Sequence, residues 1–369
     1  MKRYKMSDVV DEISIRENEP AKSEYSRFVG LEHYVPGEVV IRQYGTTEKL
    51  GSAMKVFQAG DILVARRNVY LRRASRVDFD GLTSGDSIVL RAKTAIMKKL
   101  LPFVLNTDDF WNFADQHADG TMSKRLSPKI LMQYEFSLPD EDKQDEFAEI
   151  LCAADETREA YKKLLVKSDE LVKSQFIEMF GDPIENTKGW PTEEISKVAP
   201  TVNADVELDE KVWILNLDMI ESGTGIIIEK VMLPPSEIGS STGTFNEEMV
   251  LYSKLRPYLN KVALPDGPGY ATNELVPMLP NKAKLRREFL AALLRGDAFV
   301  SYAVHISGGA QMPRMPVKAL KGFKCILPPL DAQDTFIKIS KQIDKSKYEI
   351  QQAVDSLNAT IRALVQQDF

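Results

Sequence analysis

Cysteine and histidine are nearly absent: Cys152 and Cys325 are the only cysteines, and three histidines complete the supply in 369 residues. Neither a disulfide framework nor a Cys/His zinc site can be built from that stock, so no metal ligand is nominated and a reducing cytoplasm is the expected setting. Long apolar runs are missing as well. Nothing approaches the ~18 to 20 uninterrupted apolar residues of a bilayer span, and no membrane partner is expected. The opening MKRYKMSDVVDEIS is basic but has no apolar h-region, so no secretory signal is expected. Catalytic loops are scarce too. There is no GxxxxGKS or GxxxxGKT phosphate loop and no GxGxxG dinucleotide turn. An amino-methyltransferase uses an Asn/Asp-Pro-Pro-aromatic loop, and Leu327-Pro328-Pro329-Leu330 lacks its first and last members. Asp209-Glu210-Lys211 reads as a solvated turn, and the histidines as structural. No catalytic residue and no cofactor are expected in this chain.

What is present is segregated charge. The net charge of −6 disfavours nucleic acid at first sight. A duplex, however, senses only the face presented to it. Residues 62–76 (ILVARRNVYLRRASR) hold five arginines and no acid, whereas residues 140–159 hold nine acids against two basic residues.

The chain also repeats itself. LSPKILMQYEFSLPDEDKQDEFAEI, from Leu126, aligns with MPVKALKGFKCILPPLDAQDTFIKI, from Met315, at a constant shift of 189. Lys129 falls on Lys318, Leu138-Pro139 on Leu327-Pro328, Gln144-Asp145 on Gln333-Asp334, and Phe147 on Phe336. Upstream, at a shift of 188, LVARRNVYLRRA from Leu63 parallels LYSKLRPYLNKV from Leu251, and Asp86 falls on Glu274. A weaker echo links LEHYVPG, from Leu31, with LDMIESG, from Leu217. One unit of about 185 residues is used twice, and such a repeat decides the architecture.

Each unit opens with short β-type runs: EVVIRQYG, DILVARR and SIVLRAK in the first, KVWILNL, GIIIEKV and NELVPML in the second. A helical stretch follows, then a long helix entered after Leu-Pro. In the first long helix Phe147, Leu151, Ala154, Arg158, Tyr161, Leu165, Ser168 and Val172 keep alternating steps of four and three. In the second, Phe336, Ser340, Ile343, Lys347, Ile350, Val354, Leu357, Ile361 and Leu364 do the same. A seam sustained for about five heptads calls for a helical partner. A helix over 144–180 would be ~55 Å long. The fold class expected is mixed α+β, with two tandem units whose long helices pair as an antiparallel coiled coil; a homodimeric coiled coil is the alternative. The divisions expected are 1–137 globular, 138–182 helix, 183–326 globular and 327–369 helix.

The basic segments carry the functional signal. Arg66, Arg67, Asn68, Tyr70, Arg72, Arg73 and Arg76 crowd one strand-and-turn region, matched by Lys254, Arg256, Tyr258 and Lys261 in the second copy. A further segment, Thr121-Met122-Ser123-Lys124-Arg125, is matched by Gln311-Met312-Pro313-Arg314. Arginine forks a guanine edge or a phosphate, asparagine reads adenine, and tyrosine meets backbone or a thymine methyl. Arg66, Arg67, Asn68, Tyr70, Arg72, Arg73, Arg76, Ser123, Lys124, Arg125, Lys254, Arg256, Tyr258, Lys261, Gln311 and Arg314 are therefore candidate DNA contacts.

Tandem variable domains, each followed by a similar long helix behind Leu327-Pro328-Pro329-Leu330-Asp331-Ala332-Gln333 or its degenerate copy at Leu138-Pro139, resemble the specificity subunits of type I restriction-modification systems. Ser174-Gln175-Phe176-Ile177-Glu178-Met179-Phe180-Gly181-Asp182 and Tyr252-Ser253-Lys254-Leu255-Arg256-Pro257-Tyr258-Leu259 are similar to recurrent text of that family. The resemblance implies two target-recognition domains that each read half of a bipartite, asymmetric double-stranded DNA site, with the helices setting the spacer. It further implies two methyltransferase subunits, which would bind S-adenosylmethionine, and motor-nuclease subunits as partners. The acidic helix, with Glu149, Asp155 and Glu156, would face the methyltransferase subunits. A chain of a related two-subunit restriction enzyme, a protein-only helical scaffold and an enzyme with an unrecognised active site are the competing readings.

Overall fold

Two helices of 40 and 39 residues, Glu141–Phe180 and Leu330–Asp368, organise everything else. At ~1.5 Å per residue each is about 60 Å long. The computed structural model describes residues 1–368 apart from 122, 207, 208, 240, 241 and 310. The chain divides into one unit made of Met1–Lys163 with Gln351–Phe369 and a second made of Leu164–Ile350. The division thus falls inside the long helices rather than at their ends, because each helix lends one half to each core.

In the first unit, the core combines Phe147, Ala148 and Leu151 from the start of one helix with Ile361 and Val365 from the end of the other. Arg158 reaching Asn358, further along the first helix and earlier along the second, shows that the two segments run antiparallel. Seam residue Val354 is buried, while Tyr161 and Leu357 are half-buried. In the second unit, Phe176 and Phe180 meet Phe336 and Phe289 with ring centroids 4.9–5.7 Å apart. Asp169 pairs there with Lys347, so the order is again antiparallel. Seam residues Leu165, Val172, Ile343 and Ile350 are half-buried. The antiparallel helix pairing and mixed α+β architecture read from the sequence are what the structure has.

The Leu-Pro…Gln text is a helix-starting device. Gln144 is buried and donates through Nε2 to the Pro139 carbonyl at 2.8 Å and to the Tyr4 hydroxyl at 3.0 Å. Its repeat mate Gln333 donates to the carbonyls of Pro328 at 2.8 Å and Lys284 at 3.0 Å, and accepts the Arg286 N–H at 2.9 Å. A buried, hydrogen-bonded amide joins each helix entrance to its globular body, and in Gln333 both the amide nitrogen and oxygen are engaged. At its far end the first helix stops at Gly181, whose N–H returns to the Ile177 carbonyl at 2.8 Å.

Each globular body has a short antiparallel pair at its base: Lys2–Lys5 with Glu135–Leu138, and Thr192–Glu194 with Lys324–Ile326. Above it, among the described residues, the first unit carries two five-stranded sheets. One centres on Ser87–Ala92 and Ile62–Ala65, the other on Met54–Phe57, Gly81–Thr83 and Arg27–Val29. The second unit has corresponding sheets of three and four strands. Its run GIIIEKV becomes a strand only at Val231–Leu233; upstream, Ile226 and Ile228 stay exposed and an isolated bridge joins Ile227 to Ile220. Each helical stretch is two helices. Thr107 caps and restarts one, accepting the Phe110 N–H at 3.1 Å; Gly296 separates the other pair.

The acidic helix is not uniformly outward-facing. Glu149 and Glu156 are exposed, but Asp155 is only 4% exposed and lies inside an ionic cluster of the first unit. Arg158 bonds Asp155 and lies 3.1 Å from Glu38, while Arg42 lies 3.5 Å from Glu38 and 3.2 Å from Glu159. Burial raises the Asp155 carboxyl, against the lowering pull of Arg158 and Arg42. Asp155 therefore serves the fold and cannot be a docking residue, a correction to the role expected for it. Removing one partner of a buried ionic cluster strands the others. Arg158→Ala is expected to cost about 3–5 kcal/mol of stability, read as a lower urea midpoint, whereas Glu156→Ala leaves the midpoint nearly unchanged.

Candidate nucleic-acid interface

The basic segment of each unit folds into the same object. In the first unit the strand Ile62–Ala65 leads to Asn68, which takes a left-handed backbone (φ 55). One 3₁₀ turn, Val69–Leu71, follows, and Arg72 is left-handed again (φ 51). In the second unit Val250–Ser253 leads to left-handed Arg256 (φ 48), the turn Pro257–Leu259 and left-handed Asn260 (φ 49). These are four of the five non-glycine residues with positive φ among those described. Each costs about 1 kcal/mol. On the crest of each bump stands a tyrosine, Tyr70 or Tyr258, 64% and 53% exposed.

A returning loop closes against each bump. Arg67 bridges Arg125, the Asn68 N–H donates to the Lys124 carbonyl at 2.8 Å, and the Leu126 N–H to the Arg66 carbonyl at 2.9 Å. Leu255 bridges Arg314 likewise, with the Arg256 N–H on the Pro313 carbonyl at 2.7 Å and the Met315 N–H on Lys254 at 2.9 Å. Both loops turn at a glycine with φ near +100°: Gly120 at 99 and Gly309 at 103. A Cβ there would press on the backbone three residues on, at 3.2 Å and 3.1 Å. Met122, quoted within the first loop, lies outside the described residues.

Acids that are distant in sequence answer many of these cations. Asp86 lies 3.3 Å from Arg125 and 3.9 Å from Arg67. Its repeat mate Glu274 holds Arg314 through both carboxylate oxygens at 3.1–3.3 Å. Arg72 bonds Asp108, and Lys124 lies 2.7 Å from Asp115. The apparent absence of acid in residues 62–76 is thus a property of the linear segment alone. Ser123 joins the first bump internally, receiving Arg67 Nε at 3.0 Å and donating to Asn68 Oδ1 at 3.2 Å. Exposed Gln311 belongs to the second loop.

Three candidates stand apart from the outer surface of the bumps. Arg73 is half-buried and donates to the carbonyls of Leu31 at 3.1 Å and Arg67 at 3.0 Å; burial holds its guanidinium below the usual range. Lys261 makes the equivalent bond to Leu217 at 2.7 Å. Both pin the turn that follows a strand of the other sheet. Arg76 sits 2.9 Å from Asp78, in a nook of about 100 Å³ shared with Lys99, Cys152 and Glu156 beside the long helix. Arg66 and Lys254 are half-buried, their N–H groups held by Asp86 and Glu274 carbonyls at 2.9 and 3.0 Å. Asp86 and Glu274 are not among the residues the sequence nominates, although the shift of 188 places them together.

Among the described residues no group of three His, Cys, Asp or Glu could hold a metal ion. Asp209 and Glu210 are exposed. His33 accepts the Gly30 N–H at 2.8 Å, and His117 donates to the Phe113 carbonyl at 2.8 Å. Burial raises the Cys152 thiol and pushes the Cys325 thiol up to about 12. No described helix is long and apolar enough to cross a membrane.

The architecture, two repeated mixed α+β units on a pair of long antiparallel helix segments, is that of type I specificity subunits. Among solved structures, the chain is similar to one from work on complex assembly and conformational transition of the type I R-M system, at 15% identity and TM-score 0.57, covering 99% of this chain and 96% of that one. It is also similar to the S subunit of a type I restriction-modification system from M. genitalium, at 12% identity and TM-score 0.59, covering 99% and 94%. In sequence, 184 residues, or 50% of this chain, are 22% identical to the type I restriction enzyme EcoDI specificity subunit of Escherichia coli, a match that spans 40% of that protein. No family model matches the chain.

Only a thiolate reacts as a nucleophile, and its fraction falls as the pKa rises. At pH 7 a maleimide dye is expected to leave Cys325 of the folded chain unlabelled and to modify both cysteines in denaturant, as counted by mass spectrometry.

Proposed function

We propose that this chain is the DNA-reading subunit of a type I restriction-modification complex and carries no catalytic centre of its own. The observation that carries the reading is the duplicated bump and loop, a cation-rich, tyrosine-crested object present once in each unit of a fold shared with specificity subunits. Each unit reads one half of a split double-stranded site, and the long helices set the spacer between the halves. Phosphate contacts hold such a protein in register, while base edges in the groove carry the sequence. Partner methyltransferase subunits supply S-adenosylmethionine and methylate adenine, and motor-nuclease subunits cleave unmodified DNA. The cytoplasm is the matching compartment.

Deleting the gene and mapping N6-methyladenine across the host genome tests the reading directly. Methylation is expected to vanish at one split motif and to persist at all others. An unchanged methylome would remove the proposal and leave a protein-only scaffold as the better account.

The exposed acids of the first long helix face partner protein rather than DNA in this reading, since phosphates would repel them. Glu149→Lys combined with Glu156→Lys is expected to weaken assembly with the methyltransferase subunits, measured by analytical ultracentrifugation, and to leave the recognised sequence unaltered. A shifted recognition sequence would count against this placement.

A further inference from the structure

The two units hold the same bump although the residues around it have diverged, and that contrast separates two kinds of contact. Left-handed Asn68 and Arg72 flank one crest; left-handed Arg256 and Asn260 flank the other, the two residue types in reversed order. Three of the four flanking side chains are held within their own unit, Arg72 by an exposed ion pair. Asn68 receives Ser123, Arg72 bonds Asp108, and Asn260 donates to the Arg295 carbonyl at 2.8 Å. The tyrosines turn outward, 64% and 53% exposed. Backbone strain of this kind persists only where the surroundings enforce it, and it gathers at ligand clamps.

Elsewhere the copies differ in kind. Arg67 of the first bump has Leu255 in its place in the second. In the other sheet, Arg27 pairs in register with Thr46 and Trp213 with Met232, so Tyr44 and Lys230 occupy equivalent places two residues earlier. Arg27 lies over the Tyr44 ring at 5.0 Å, and Lys230 over the Trp213 ring at 4.7 Å. Cation and aromatic have exchanged strands. Half-sites of different sequence need different edge-reading groups, but the sugar-phosphate backbone is the same at both.

We infer that Tyr70 and Tyr258 are sequence-blind grips on the DNA backbone, each hydroxyl donating to a phosphate oxygen, and that half-site discrimination resides in residues the two copies do not share. This rests on the reading of the chain as a DNA-specificity subunit. The two bumps are then interchangeable in function, whereas the Arg27–Tyr44 and Trp213–Lys230 positions are not.

The test uses the full complex, with two readouts: binding of the purified assembly to a random-sequence duplex of about 30 bp, and the N6-methyladenine map of the host. Tyr70→Ala and Tyr258→Ala are each expected to weaken binding about three- to tenfold, the size of one lost hydrogen bond with its contact. Each lowers the methylated fraction at every copy of the split motif and leaves both half-sites as they were. Tyr70→Phe and Tyr258→Phe keep the ring and the fold, and share the loss because the hydroxyl meets the phosphate. A relaxed or altered base in one half-site would overturn the inference, since the tyrosine would then be reading sequence. Unchanged binding and methylation would overturn it equally. If the wild-type complex neither bound the duplex nor methylated a split motif, the specificity reading itself would fall; a failure confined to the variants touches the tyrosines alone.

Discussion

A long helix with a continuous apolar stripe has to cover that stripe, and in this chain the covering is done by sharing. Each core takes the opening turns of one long helix and the closing turns of the other. The consequences run outward from there. Sharing the halves in this way runs the segments antiparallel within each unit and buries Phe147, Leu151, Phe176, Phe180 and Phe336. Burying one such side chain is worth about 1.5–3 kcal/mol, more than an exposed ion pair supplies. The ionic cluster around Arg158 is a different matter. Its centre, Arg158 and Asp155, is buried in the first unit, where the cluster ties the helix to Glu38 and Arg42 of the globular body.

Much of the architecture was legible because periodicity and repetition are linear properties. The seams, the Leu-Pro boundaries and the two-copy organisation could be read as text, since a heptad or a constant shift survives projection onto one dimension. The seam residues are buried or half-buried where the structure describes them. What could not be read is what arrives from elsewhere in the chain. Residues 62–76 look purely basic until Asp86, Asp108 and Asp115 close on them and on the returning loop. Asp155 looks like any acid on a charged helix until Arg42 reaches it, and Glu38 reaches its partner Arg158, from more than a hundred residues away. Left-handed backbone at Asn68 and Asn260 has some sequence signal, because asparagine tolerates it; at Arg72 and Arg256 it has none.

The comparison of the two copies is more informative than either alone. Side chains that bond the same group in both units, as Arg73 and Lys261 do with the turns at Leu31 and Leu217, belong to the scaffold. Asp86 and Glu274 conserve a geometry while changing length, and Arg27–Tyr44 against Trp213–Lys230 conserves an attraction while exchanging its members. An internal repeat therefore acts as a built-in control: shared contacts report the frame, and exchanged ones report where the frame has been put to different use.

The make-up of the first unit also has a consequence for biosynthesis. Leu164–Ile350 is continuous, whereas Met1–Lys163 is completed only by residues 351 onward, with Ile361 and Val365 in its core. During translation the later-encoded unit has its whole set of residues first. The earlier one waits with an open apolar face through the synthesis of nearly two hundred residues, about ten to forty seconds at ~5–20 residues per second. Ribosome pausing in that interval, or a chaperone that shields the waiting face, would thus act on the unit that was made first and finished last.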